Sequence, residues 1–159
     1  TEAFISKLAT LFDNSLYWPG NEPCHQIAYL YNYVGAPHKT QQRVRHIMET
    51  EYAPLHDGLA GNDDAGQMSA WYIFSAMGFY PVCPGVPEYA IGSPCFDRLT
   101  IHNDNGTSFV IEASNASAEN IYIQSAKLNG KPLPTPFLQH SDITAGGKLT
   151  VTLGCEVKK

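Results

Sequence analysis

The spacing of apolar residues changes period part-way along this chain, and that change restricts the fold more than any other feature. Up to about residue 81 the apolar positions recur at helical intervals. Phe4, Ile5, Leu8, Leu11 and Phe12 mark one face of a first helix. From Cys24 to Val34 nearly every side is apolar (Ile27, Ala28, Tyr29, Leu30, Tyr31, Tyr33), so a second helix is expected to be wrapped by others. Gly35-Ala36-Pro37 ends it. Lys39 to Tyr52 is amphipathic, with Val44, Ile47, Met48 and Tyr52 on one face. A fourth helix is predicted over Ala65 to Met77, with Gly78 at its C-terminal cap and Pro81 beyond. After the Pro-rich stretch Val82–Pro94 the period becomes two. Leu99 and Ile101 alternate with polar residues, as do Phe109, Ile111 and Ala113, then Ile121 and Ile123, then Leu149, Val151 and Leu153. Asp104-Asn105-Gly106, Asn129-Gly130 and Gly146-Gly147 supply turns. The expected class is α+β: a helical segment over 1–81, then a Pro-rich connector and an antiparallel β region over 82–159.

Composition excludes several functions. The net charge is −5 and the basic residues are dispersed, so nucleic acid is not an expected partner. No apolar run is long enough to span a membrane. The opening Thr1-Glu2-Ala3-Phe4 reads as the inside of a helix, so the absence of a signal peptide says nothing about location. The four cysteines, at 24, 83, 95 and 155, lack the spacing of a zinc or redox site and are read as free thiols. A Cys83–Cys95 bridge within the connector is the alternative.

Two loops carry more chemistry than a connection needs. Trp18-Pro19-Gly20-Asn21-Glu22-Pro23 precedes the second helix. There Asn21 suits an N-cap, and Glu22 suits the positive end of the helix dipole. Asp57-Gly58-Leu59-Ala60-Gly61-Asn62-Asp63-Asp64 precedes the fourth helix. One acidic residue is enough for a cap, and adjacent carboxylates repel unless a cation or shared proton relieves them. The bland alternative is an N-cap at Asp64 with Asp63 in solvent. One hairpin separates the loops, so they are expected to converge. Convergent oxygen donors with a carboxylate pair point to calcium binding or to acid/base chemistry on a sugar.

Residues 20–33 (GNEPCHQIAYLYNY) and 61–82 (GNDDAGQMSAWYIFSAMGFYPV) resemble the signature blocks of glycoside hydrolase family 92 exo-α-mannosidases. The segments 40–45 (TQQRVR), 89–94 (YAIGSP) and 120–130 (NIYIQSAKLNG) fit the same family. The resemblance implies that the helices are the last of an (α/α)6 barrel and that antiparallel strands follow it. It implies a calcium-dependent inverting enzyme, secreted or periplasmic, that removes terminal α-mannose from glycans. Asp64, with Asp63 beside it, matches the carboxylates that activate water. Asn21 and Glu22 match a block lining the metal and the terminal mannose. His25, beside that block, is either a sugar contact or a helix-packing histidine, and Trp18 is a candidate sugar platform.

The family's general acid is a glutamate in a block that this sequence lacks. Glu2, on an amphipathic helix, is no substitute. Only the base side of an inverting pair is therefore expected here. A non-catalytic carbohydrate-binding or scaffolding module with a structural calcium site is the competing reading. Trp71, Tyr72 and Phe74 are read as core, and the glycosylation patterns at Asn105 and Asn115 as chance. Helices apolar on nearly every side leave faces to be covered by the upstream part of the same polypeptide or by self-association.

Overall fold

The computed structural model describes residues 1–158. Helix α1 spans Glu2–Asp13, α2 Pro37–Thr50, α3 Gln67–Met77, and the one-turn α4 His140–Thr144. The segment predicted as a second α-helix is instead two 3-10 helices, Glu22–Cys24 and Ile27–Val34. Its burial explains why three residues per turn suit it. Ala28 and Tyr31 lie on one row and Tyr29 and Asn32 on the next, all buried, while on the third row Ile27 and Leu30 are half-buried against the Leu8–Tyr31–Ala36 cluster and Tyr33 is exposed. Gly35 ends it in the left-handed region, and Pro37 opens α2 where its missing N–H costs nothing. Gly78 closes α3 at φ +100°, as its position predicts.

Among the described residues eight strands form two sheets. β1 (Phe79–Tyr80), β2 (Glu88–Ile91) and β7 (Phe137–Gln139) make an antiparallel sheet in that order. β3 (Arg98–His102), β4 (Ser108–Ser114), β8 (Gly147–Gly154), β5 (Tyr122–Leu128) and β6 (Lys131–Pro132) make the second. The predicted all-antiparallel region is corrected at one place. β8 lies between β4 and β5, parallel to β4 with Ile111 opposite Leu149 and Ala113 opposite Val151. Alternation cannot reveal strand direction, because the side-chain period is two either way. The alternating residues do face inward. Phe109, Ile111, Ala113, Leu149, Val151 and Leu153 are all buried in one cluster.

The helical and strand halves share their cores. Phe79 belongs to the sheet cluster, whereas Ala90 belongs to the helical cluster with Tyr29, Val44, Ile47 and Trp71. Polar pins reinforce the seam near residue 81. Buried Arg45 donates to Ser93 Oγ (3.2 Å), Cys95 Sγ (2.7 Å) and the Ser117 carbonyl (2.8 Å). Gln41 Oε1 accepts the Ile123 N–H, and Asn32 Nδ2 donates to the Ile91 carbonyl. All four cysteines are free, so the connector is held without a Cys83–Cys95 bridge.

Phe4, Leu16, Tyr33, Leu55, Tyr72 and Ile73 are exposed on the helical half, Ile73 by 58%. Surface apolar area on this scale is normally covered. The 159-residue chain is therefore expected to self-associate as its concentration rises, read by light scattering. A monomer at high concentration, without detergent or partner, would contradict this.

Candidate functional site

The two acidic loops meet backbone to backbone. A Cβ placed on Gly20 would lie 1.7 Å from the Ala60 carbonyl oxygen, and one on Gly61 would lie 2.7 Å from the Gly20 carbonyl oxygen. Only glycines allow that approach. The Trp18–Glu22 segment and the Ala60–Asp64 segment thus form one rim.

Each candidate residue takes a distinct place on or under that rim. Asn21, Glu22 and Asp64 are exposed, Asp63 is half-buried, and Trp18 is 54% exposed. The fourth helix does not start at Ala65, and Asp64 is not its cap. Gly66 is the cap residue, at φ +93°, and α3 begins at Gln67. Asp63 performs the capping work from further upstream. Its Oδ1 accepts the Ser69 N–H at 2.9 Å and its carbonyl accepts the Met68 N–H at 3.1 Å. Asp64 and Ala65 lie in the left-handed region at φ +50° and +58°. Two consecutive non-glycine residues there cost on the order of 1–2 kcal/mol each, and such strain gathers at working sites. The chain thus spends Asp63 on the helix and turns Asp64 outward.

His25 is only 1% exposed, so it does not present itself to a sugar. Its position beside the Asn21-Glu22-Pro23 block makes it either a sugar contact or a helix-packing histidine, and the structure packs it beneath the rim. Its Nε2 lies 2.9 Å from the Pro19 carbonyl, which can only accept, so that nitrogen carries the proton. Its Nδ1 is then the acceptor, and the Gln67 amide donates to it at 3.2 Å. The same amide nitrogen donates to the Tyr80 hydroxyl at 3.0 Å. Trp71 Nε1 donates to the His25 carbonyl at 2.9 Å, and the hydroxyls of Ser75 and Tyr29 share a hydrogen bond of 2.8 Å. Gln67, Trp71 and Ser75 stand at i, i+4 and i+8 on α3, so one polar stripe pins residues 25–29. Sequence reasoning missed Gln67 and Tyr80. A polar stripe at helical spacing in an otherwise apolar helix is the signal that could have found Gln67.

The floor below is aromatic. Trp71 stacks with Tyr52 at 5.8 Å between ring centres, and Tyr29 stacks with Tyr80 at 5.2 Å. Burial pushes the Tyr80 phenol above its usual range, the Gln67 hydrogen bond opposes this, and the Glu22 carboxylate adds to it. Burial likewise raises Tyr52, with Tyr80 and then Asp63 adding to it. Glu22 and Asp63 therefore act on neighbouring phenols that both flank Trp71.

Asn21, Glu22, Asp63 and Asp64 are hard oxygen donors of the kind calcium takes. Among the described residues no three His, Cys, Asp or Glu side chains gather as a metal site. The donor chemistry fits calcium, while the donor number falls short of a full shell of about six to eight oxygens from these residues alone.

The glycosyl hydrolase family 92 catalytic domain matches residues 1–155. A family GH92 α-mannosidase of Bacteroides thetaiotaomicron superposes with a TM-score of 0.94 at 41% identity, covering 99% of this chain and 22% of that one. A family GH92 inverting mannosidase of the same organism gives 0.81 at 46% identity, covering 87% of this chain and 19% of that one. A protein of Arthroderma benhamiae, described as an uncharacterized secreted glycosidase, is 34% identical over 156 residues. That alignment takes in 96% of this chain and 20% of the relative, so the chain spans about a fifth of the length of the proteins it matches.

Gly20→Ala should break the loop contact, because the new methyl must displace a backbone carbonyl. A loss of about 1–3 kcal/mol is expected, as for other overpacked sites, and appears as a lowered urea midpoint. An unchanged midpoint would contradict the close approach.

Proposed function

The chain belongs to glycosyl hydrolase family 92, and from that premise we propose that it is the C-terminal part of a secreted, calcium-dependent, inverting exo-α-mannosidase acting on terminal α-mannose of glycans. Its helices would be the last of an (α/α)6 barrel. The observation that carries this reading is the rim itself. Gly20 and Gly61, whose backbones touch, directly precede Asn21–Glu22 and Asn62–Asp64, and that closeness supports a shared site; Asp63 is tied to the helix through the Ser69 N–H. The solved relatives named as mannosidases, one of them inverting, support the substrate and the stereochemistry. The name of the fungal relative supports secretion. Because the match is to a catalytic domain, the non-catalytic module is the weaker reading.

In this reading Asp64 is the general base. It takes a proton from water as that water attacks the anomeric carbon, on the face opposite the leaving oxygen. Asp63 helps orient the water, within the limits of its bond to the Ser69 N–H. Trp18 offers an exposed ring at the rim for the apolar face of a sugar. Asn21 and Glu22 would supply part of the oxygen shell of a calcium ion, with the remainder from outside this chain. When bound, calcium would hold and polarise mannose hydroxyls. The acid that protonates the leaving oxygen also lies outside this chain, since Glu2 sits on α1 as an ordinary exposed residue.

In the full-length enzyme, Asp64→Asn keeps the shape and removes the basicity. Turnover of an α-mannoside should fall roughly a hundredfold to ten-thousandfold, with mannose affinity changed much less. Turnover within a factor of a few of the original would refute Asp64 as base. Chelation should weaken mannose binding, and a chelator that leaves turnover and affinity untouched would refute calcium. The isolated 159-residue chain should show no turnover above its own Asp64→Asn variant.

A further inference from the structure

We propose that half-buried Gln67 and buried His25 form a positioning relay that aligns the Asn21–Glu22 loop with Asp64. It rests on the functional reading above and gives these two residues a positioning role. The chain of contacts is directional. The Gln67 amide donates to His25 Nδ1 at 3.2 Å, which leaves His25 Nε2 to donate to the Pro19 carbonyl at 2.9 Å. Pro19 is buried and directly precedes Gly20, the residue packed on the second loop. Gln67 follows that loop, three residues after Asp64, and opens α3. One amide and one imidazole therefore join the start of α3 to the backbone that carries Asn21 and Glu22. A second tie holds the same histidine, because its carbonyl accepts the Trp71 indole N–H. Its Nε2 also faces Met68 Sδ at 3.2 Å, so the ring is packed as well as bonded.

The relay fixes more than position. Either tautomer of a free histidine would fit the space, but the Pro19 carbonyl selects Nε2–H and the Gln67 amide selects a bare Nδ1. The Gln67 amide is oriented in turn by the Tyr80 hydroxyl, which accepts from the same nitrogen. Loss of the amide donor leaves the His25 ring held through Nε2 alone, and the loop can then shift relative to Asp64. Displacements of about 1 Å between reacting groups can cost a hundredfold in rate, while groups that hold the substrate still reach it.

The test uses full-length enzyme and an aryl α-mannoside. Gln67→Leu and His25→Leu should each lower kcat about tenfold or more while KM stays within about threefold, the mark of a lost transition-state alignment. His25→Gln keeps one donor and one acceptor and should recover kcat to within about threefold of the original. A packing role alone would lower the melting temperature without this split and without rescue. Gln67→Leu with unchanged kcat, or His25→Gln no better than His25→Leu, would overturn the relay. Should the leucine variants not fold, histidine nitrogen NMR on the wild-type enzyme decides. Bare Nδ1 and protonated Nε2 at His25 support the relay, and the reverse tautomer overturns it. An active wild type with an unaffected Gln67→Leu variant refutes the relay alone. A full-length wild type without mannosidase activity refutes the functional reading and the relay together.

Discussion

Backbone rests on backbone where Gly20 meets Ala60 and Gly61, and the placement of every acidic side chain of interest follows from that contact. A side chain at either glycine would force the two backbones apart. With the glycines in place, a segment before the 3-10 helices and a segment before α3 share one edge, though about forty residues separate them in sequence. The loops need no salt bridge or disulfide to stay together. They are set by what lies beneath them.

Beneath them is a floor that is hydrophobic in bulk and polar in its details. Tyr29, Trp71 and Met68 are fully or almost fully buried. Burial of such side chains stabilises by about 1.5–3 kcal/mol each. That term is non-directional and would tolerate a rotated helix. The stripe of Gln67, Trp71 and Ser75 would not, since each reaches a particular atom of residues 25–29. Unmade, each bond would leave a buried polar group unsatisfied. The apolar surface holds α3 against the 3-10 segment, and the hydrogen bonds select one rotation and height for it.

Much of this was legible in the sequence, and the gaps have physical causes. The period change at the Pro-rich connector separates helices from strands, and the inward faces of β4 and β8 follow the alternation. Gly78 ends α3 where the cap rule puts it. The convergence of the two loops could be anticipated from one intervening hairpin. The type of the second helix could not, because an element apolar nearly all round gives no phase to measure. The start of α3 was misplaced by two residues, since Asp64 and Ala65 adopt a left-handed conformation that their residue types disfavour. His25 sits beside a site block in sequence, but neighbours along a tight helix face opposite ways, and this one faces in. The direction of β8 depends on chain path rather than on pattern.

That path has a consequence for the order of events on the ribosome. Of the five strands in the larger sheet β8 is synthesised last, yet it fills the centre between β4 and β5. Until residues 147–154 emerge, β4 lacks its inner neighbour and β5 is left with only the two-residue β6. The sheet must therefore wait with a slot open, its apolar face from Phe109 to Ala113 uncovered while thirty-odd further residues are added. Closing the slot joins distant parts of the chain in one step, which is slow compared with forming the local helices. Within this sheet, the strand latest in sequence is the latch that completes the apolar face.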